Sequence, residues 1–270
     1  MLALMVIGQL FLMPSNNKII QHNELSIHSF VNGFSFCTQS KIDFLPINKD
    51  LKEFKKAFEE YIDYYPKNTL TSISLVHFEH PSAFVPKALF DGKFLERYLS
   101  HYKLDKGDQS FGYDTMSEND QVNVYSYSTK IKSLLETAEN NFQETHYNTL
   151  LSRTILNLIS KAKDQNQLYV HLQKDCMDLF LTKGNTIAFH NRFSTLSEDE
   201  FLYYVFFVVE QFDLETNVFE IVFLGKIDFF NSFYDAIKLY HENIRFHSEI
   251  IISMQATENH NAPFLAQYFS

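Results

Sequence analysis

The chain has 270 residues, of which 45% are hydrophobic and 16% aromatic. That is enough apolar material for one large domain or two lobes, and too much for a disordered chain. Its 23 basic and 33 acidic side chains leave a formal charge of −10, which disfavours direct binding to nucleic acid or another polyanion. The two cysteines, Cys37 and Cys176, are too few for a disulfide framework and fit a reducing, cytoplasmic setting.

Met1 to Met13 is almost wholly apolar, yet no Lys or Arg precedes it and no small-x-small cleavage pattern follows. About a dozen apolar residues are too few to span a bilayer. With Met5 and Met13 as alternative starts, residues 1–17 are expected to be a disordered N-terminal extension or an upstream start, and a cleaved signal is the alternative. No later segment approaches membrane-spanning length without charge, so no membrane association is expected.

Leu25 to Val31 and Phe34 to Thr38 flank Asn32-Gly33, the dipeptide best suited to a type I′ turn, and predict a β-hairpin. Asp50 offers an N-cap with Glu53 three residues on, and Leu51, Phe54, Phe58, Tyr61, Ile62 and Tyr65 fall on one helical face. Pro66 closes that helix. Thr71 to Phe78 reads as a buried strand, Phe94 to Tyr102 as a helix striped by apolar residues, and Val122 to Tyr127 as a strand. The polar stretch Lys103 to Asp120 is expected to be a loop, and Thr149 to Lys163 a helix.

The same order then returns about 140 residues on. Leu168 to Gln173, Met177 to Thr182 and Thr186 to His190 predict three short strands, with turns at Lys174-Asp175 and at Lys183-Gly184-Asn185. Ser197 with Glu200 forms a capping box for the next helix. From Phe201 to Phe212 that helix is apolar nearly all round, which predicts a helix sandwiched between layers. Val218 to Leu224, bounded by Gly225, reads as a strand, Phe229 to Ile237 as an amphipathic helix, and Ile250 to Met254 as a last strand. An α/β chain with an internal duplication follows, divided into lobes at 18–165 and 166–270.

Two ribonuclease H-like lobes, each with a mixed sheet opened by a β-hairpin, resemble the plan of the actin-like ATPase fold. More closely, the chain resembles a bacterial family known as domain of unknown function 3822, whose members look like actin-like ATPases. The resemblance rests on Leu25-Ser-Ile with Asn32-Gly33-Phe-Ser-Phe36, on Ala83 to Phe90, on Asn191-Arg-Phe193 with Glu198 to Tyr204, and on Val222-Phe-Leu-Gly225. It spans about residues 20 to 250 and implies the fold without an activity. It also implies, as one open reading, an accessory role in ribosomal-RNA modification through a protein partner.

An active member of the wider superfamily needs an acidic residue at the end of each lobe's first strand, then a glycine turn. The carboxylate holds magnesium and backbone amides cradle phosphate. Here His28 and Phe30 fall at the acidic and glycine positions of the first lobe, and His171 and Gln173 at those of the second. Neutral imidazole is a poor ligand for a hard cation, and Phe30 blocks close backbone approach. The seven glycines include no G-x-G pattern and no adjacent pair, and Leu224-Gly225-Lys226 keeps one glycine where an adenosine-contacting turn usually has two.

The cleft candidates are therefore His28, Asn32, Gly33, His171, Asp175, Gly184 and Gly225, with no catalytic residue, no metal ligand and no cofactor assigned. His77-Phe-Glu-His80 reads as solvated loop histidines, not a metal site, because the spacing falls at a strand end before Pro81. His28 and His171 are a switch or ligand pair, or simply satisfied strand histidines. The expected function is a catalytically degenerate, cytoplasmic protein-interaction or scaffolding module with a protein partner. The alternative is an ATPase or kinase with ligands relocated to Asp175, Asp178 or Asp228.

Overall fold

The computed structural model describes residues 24–30, 33–37, 42–46, 72–78, 81–102, 108–130, 143–159, 166–215, 218–247, 251–252 and 260–268, with scattered positions from 52 to 63 and residue 133. The expected extension at 1–17 and the cap at Asp50 lie outside them. The chain divides into two compact units, one of 1–116, 120–149 and 268–270 and the other of 117–119 and 150–267.

The first unit holds β1 (Glu24–Phe30), β2 (Gly33–Cys37), β3 (Ile42–Pro46), β4 (Ser72–His77), β5 (Ser82–Pro86), α1 (Leu95–Tyr98), β6 (Ser110–Met116), β7 (Gln121–Tyr127), β8 (Gln143–His146) and the first turn of α2 (Tyr147–Ile159). Its main sheet has the order β3-β2-β1-β4-β8, an antiparallel meander continued by two parallel strands. Leu25 to Phe30 are all buried, so β1 is covered on both faces. The polar half of its alternation must then find partners inside: Ser74 Oγ donates to Ser26 Oγ at 2.9 Å, and Ser26 Oγ lies 3.0 Å from His28 Nε2.

The predicted helix after Pro46 shows its polar side. Lys52, Lys55, Lys56, Glu59, Glu60 and Asp63 are helical, with Lys55–Glu59 and Lys56–Glu60 ion pairs at 3.7 Å one turn apart. The apolar stripe lies outside the described residues.

Three expectations change in this unit. Phe30 pairs with Gly33, so Gly33 is a strand residue and not half of the turn, and it lacks the positive φ that the turn required. Glycine is needed there because a Cβ would stand 2.5 Å from both the Leu45 carbonyl oxygen and Phe44 Cζ of β3. The helix expected over Phe94 to Tyr102 is the single turn α1 after a 3-10 turn at Gly92–Phe94. The expected loop at Lys103 to Asp120 contains β6, which joins a second sheet, β5-β7-β6, around Val85, Leu99, Val122 and Val124.

The second unit holds β9 (Gln167–Leu172), β10 (Cys176–Lys183), β11 (Thr186–Ser194), α3 (Glu198–Gln211), β12 (Glu220–Phe223), β13 (Lys226–Ile227), α4 (Asn231–Lys238), β14 (Ile244–Phe246), β15 (Ile251–Ile252) and α5 (Pro263–Tyr268). The sheet order β11-β10-β9-β12-β14 repeats that of the first unit strand for strand. Gly184, at φ 57°, turns the chain between paired Lys183 and Thr186. Ser197 Oγ accepts from Glu200 N at 3.3 Å and starts α3 as predicted. The expectation of a sandwiched helix is corrected: α3 buries only Phe201, Val205, Val208 and Val209, and Tyr203 and Phe207 on its other side are exposed. Among the described residues, no helix is long and apolar enough to cross a membrane.

Candidate functional site: the strand ends of each sheet

Ligands of open α/β sheets bind beyond the carboxyl ends of the parallel strands. In the first unit these are β1, β4 and β8, whose register aligns Ser29, His77 and His146. One residue further, Phe30, Phe78 and Tyr147 stack in a buried row. Their ring centroids are 4.9 Å apart in both steps, with interplanar angles of 30° and 9°. Phe30, expected to block the glycine position, is the first ring of that row.

Behind the rings, His28 faces Ser35 across β1 and β2. Its Nδ1 is 3.7 Å from Cys37 Sγ, and burial lowers its pKa to about 3. The imidazole is neutral at ordinary pH, with no charge to offer a phosphate. His77 corrects the reading of solvated loop histidines: it is buried, stacks on Tyr127 at 5.0 Å and 21°, and has Nε2 3.5 Å from Glu144 Oε2. Glu79, His80 and Asn32 lie outside the described residues.

The carboxylate that organises this end of the sheet is one the sequence reading did not select. Asp114 on β6 accepts hydrogen bonds through Oδ2 from Thr145 Oγ1 at 2.8 Å, His146 N at 2.9 Å and Thr149 Oγ1 at 2.6 Å. It thereby caps the start of α2 from another strand, which favours a negative charge at the helix N-terminus.

In the second unit, His171 on β9 faces Asp178 on β10, and Asp178 faces Arg192 on β11. His171 Nδ1 donates to Asp178 Oδ2 at 3.0 Å, Gln173 Nε2 donates to the same oxygen at 2.8 Å, and His190 Nε2 is 3.7 Å from Oδ1. Burial pushes the Asp178 pKa up, but the hydrogen bond from His171, the nearby His190 ring and the positive charge of Arg192 outweigh it. The carboxyl is held well below its usual range. Asp178 is thus an internal counter-ion, fully buried, and not a displayed magnesium ligand.

The other candidates separate. Gly225, at φ 82°, follows β12 at the same end of the sheet as His171, where Leu224 N donates to Val170 O at 2.9 Å. Asp175 is exposed in the β9–β10 turn and gives its carbonyl to Thr195 N at 3.0 Å. Gly184 sits at the opposite end, beside the start of β9, so the structure does not bring it to His171. Asp228 is exposed at the turn before α4, where its Oδ1 accepts from Phe229 N at 2.8 Å.

The carboxyl ends of β9 and β14 carry a cover of their own. Phe264 of α5 meets His171 edge-on at 6.0 Å and 66°, and His247 at 6.2 Å and 77°. Lys174 N donates to Asn261 O at 3.1 Å, and Ala262 N donates to His260 Nδ1 at 3.0 Å, which fixes the segment entering the helix. Phe264, Leu265 and Ala266 are buried. α5 is not among the elements expected from the sequence, although Pro263 at its first helical position is a signal for it.

The chain is similar to a protein of Bacteroides thetaiotaomicron described as having an actin-like ATPase fold and unknown function, with a TM-score of 0.69 and 13% identity over 94% of this chain and 100% of that one. It is also similar to a chain of the PilM-PilN type IV pilus biogenesis complex, with a TM-score of 0.53 and 11% identity over 92% and 97%. The comparison with curated proteins found no match. These likenesses establish the actin-like ATPase fold, and the model of the family "Protein of unknown function (DUF3822)" matches residues 14–244, so the chain belongs to that family.

Proposed function

We propose that this protein is a non-catalytic interaction module, an actin-like fold whose phosphate positions have been given over to packing. One observation carries the reading. In each unit the carboxyl ends of parallel strands are filled by the chain's own rings, Phe30, Phe78 and Tyr147 in one and Phe264 in the other. A nucleotide needs exposed backbone amides and a carboxylate free to hold magnesium through water. Aromatic rings supply neither, and Asp178 already accepts from His171 and Gln173. The formal charge of −10 favours a protein partner over a nucleic acid. The PilM-PilN complex is an instance of a chain with this fold inside a protein assembly.

Cross-linking in the native cell, followed by mass spectrometry, tests the proposal. A reproducible cross-linked partner is the expected result. A chain found only alone at its native concentration would overturn it.

A further inference from the structure

We propose that α3 is a docking site for an amphipathic helix of a partner protein that carries a basic residue at each end of its apolar stripe. This rests on the reading of the chain as an interaction module and names the surface. Asp199, Leu202, Tyr203, Phe206, Phe207 and Glu210 recur along α3 at the three- and four-residue spacing of one helix face, and they line a groove of about 430 Å³. Tyr240, just beyond α4, forms the far wall, its ring edge-on to Phe206 at 5.8 Å.

The floor is apolar and open to solvent. Tyr203 is 63% exposed, Phe207 45% and Tyr240 60%. The helix spends its core-facing residues, Phe201, Val205, Val208 and Val209, on the opposite side, so Tyr203 and Phe207 of this stripe stay outside the unit's buried core. Tyr203 and Phe207 lie nearly parallel at 6.2 Å and 22°, a shelf of the kind that anchors helix-in-groove recognition. Exposed aromatics grouped on one face mark interaction sites in soluble proteins, and aromatic anchors dominate their binding energy.

Charge selects the occupant. The two ends of the groove are Asp199 and Glu210, and no cation is among the described residues that line it. Glu198 and Glu200 add to the acidic end at the start of α3. The two carboxylates stand 11 residues apart on one helix, about 16 Å along its axis at 1.5 Å per residue. A partner helix lying along α3 meets both with Lys or Arg about three turns apart, and places apolar residues at the intervening i, i+3, i+4, i+7 positions. An anionic membrane surface is repelled by the same rim.

A display library of random 16-residue peptides, selected on the full-length protein, tests this. The selected peptides are then synthesised and titrated by fluorescence anisotropy. The expected result is enrichment of apolar helical spacing flanked by Lys or Arg, with affinity falling at least about tenfold in Phe207→Ser and in Tyr240→Ser. Both residues are exposed, so neither change touches the core. Glu210→Lys, which suits a helix C-terminus, is expected to weaken the same peptides and to restore binding when the facing Lys is exchanged for Glu.

Selected peptides whose affinity ignores Phe207, Tyr240 and Glu210 would overturn the docking site while leaving the interaction reading standing. So would an empty selection. Binding of phosphatidylcholine vesicles through Phe207, or a self-dimer in sedimentation that Phe207→Ser abolishes, would replace the partner helix with a membrane or a second copy and overturn the proposal. Tight binding of magnesium and an ATP analogue would instead contradict the interaction reading itself.

Discussion

His171 Nδ1 and Asp178 Oδ2 are 3.0 Å apart across β9 and β10, with both side chains fully buried. In the first unit the buried histidine of the first strand is His28, and its facing residue across the hairpin is Ser35. Each sheet thus buries a histidine in its first strand, one hydrogen-bonded to a carboxylate held well below its usual range and one kept neutral by burial. The difference makes each testable by pH.

For His28, the pKa falls from 6.5 to about 3 on folding. Between these values the unfolded chain binds the proton and the folded chain does not, so acid favours unfolding. Stability is full above about pH 6.5 and falls by about 1.4 kcal/mol for each further pH unit toward 3. Urea midpoints of the wild type and His28→Leu, measured from pH 7 to 4, should fall more steeply for the wild type as pH falls. Parallel curves would show that His28 is not the buried neutral group described here.

Asp178 acts in a lower window. Its folded pKa is depressed below 3.8, so its contribution is present above that value and is lost as pH falls below it. Removing one partner of a buried pair leaves the other uncompensated. Asp178→Ala should cost on the order of 3 kcal/mol at pH 7, and less below pH 3. Chemical denaturation at the two pH values provides the check, and an equal loss at both would count against a buried ionised Asp178.

Asp114 predicts a local effect. Replacement by Ala removes three hydrogen bonds at the start of α2, and the expected loss is about 2 kcal/mol. Hydrogen exchange should quicken first in the opening turn of α2. Unchanged protection there would refute the capping role.

Phe264 is the cover of β9 and β14. Phe264→Ala should cost about 3 kcal/mol through the cavity it leaves, visible as a lower thermal midpoint. The variant should gain no affinity for nucleotide, because Asp178 still accepts from His171 and Gln173 beneath it. Acquired nucleotide binding would mean that the ring, not the underlying chemistry, had closed the site.

How far the sequence could be read depended on whether a signal was local. The β10–β11 turn at Gly184, the Ser197 cap and the strand around Val222 were legible because each is written in consecutive residues. β6 was not, since Gly112 and its polar neighbours look like loop; the glycine is there because a Cβ would stand 2.9 Å from the Tyr125 ring. The amphipathy of α3 was hidden because Tyr203 and Phe207 on its exposed face read as apolar alongside Phe201, Val205, Val208 and Val209 on its buried one. His28, Phe30 and His171 could be picked out as strand residues near the carboxyl ends of β1 and β9. What surrounds them could not, since the Phe30–Phe78–Tyr147 row, the Asp114 cap and Phe264 over His171 join residues from 31 to 93 positions apart.

Calorimetric titration of the full-length protein with magnesium and a non-hydrolysable ATP analogue tests the central claim most directly. The strand ends filled by Phe30, Phe78, Tyr147 and Phe264 predict no binding heat and an unchanged thermal midpoint at millimolar nucleotide. Micromolar affinity with a midpoint raised by several degrees would contradict it, because a ligand at about 100 times its Kd adds roughly 2.7 kcal/mol of stability.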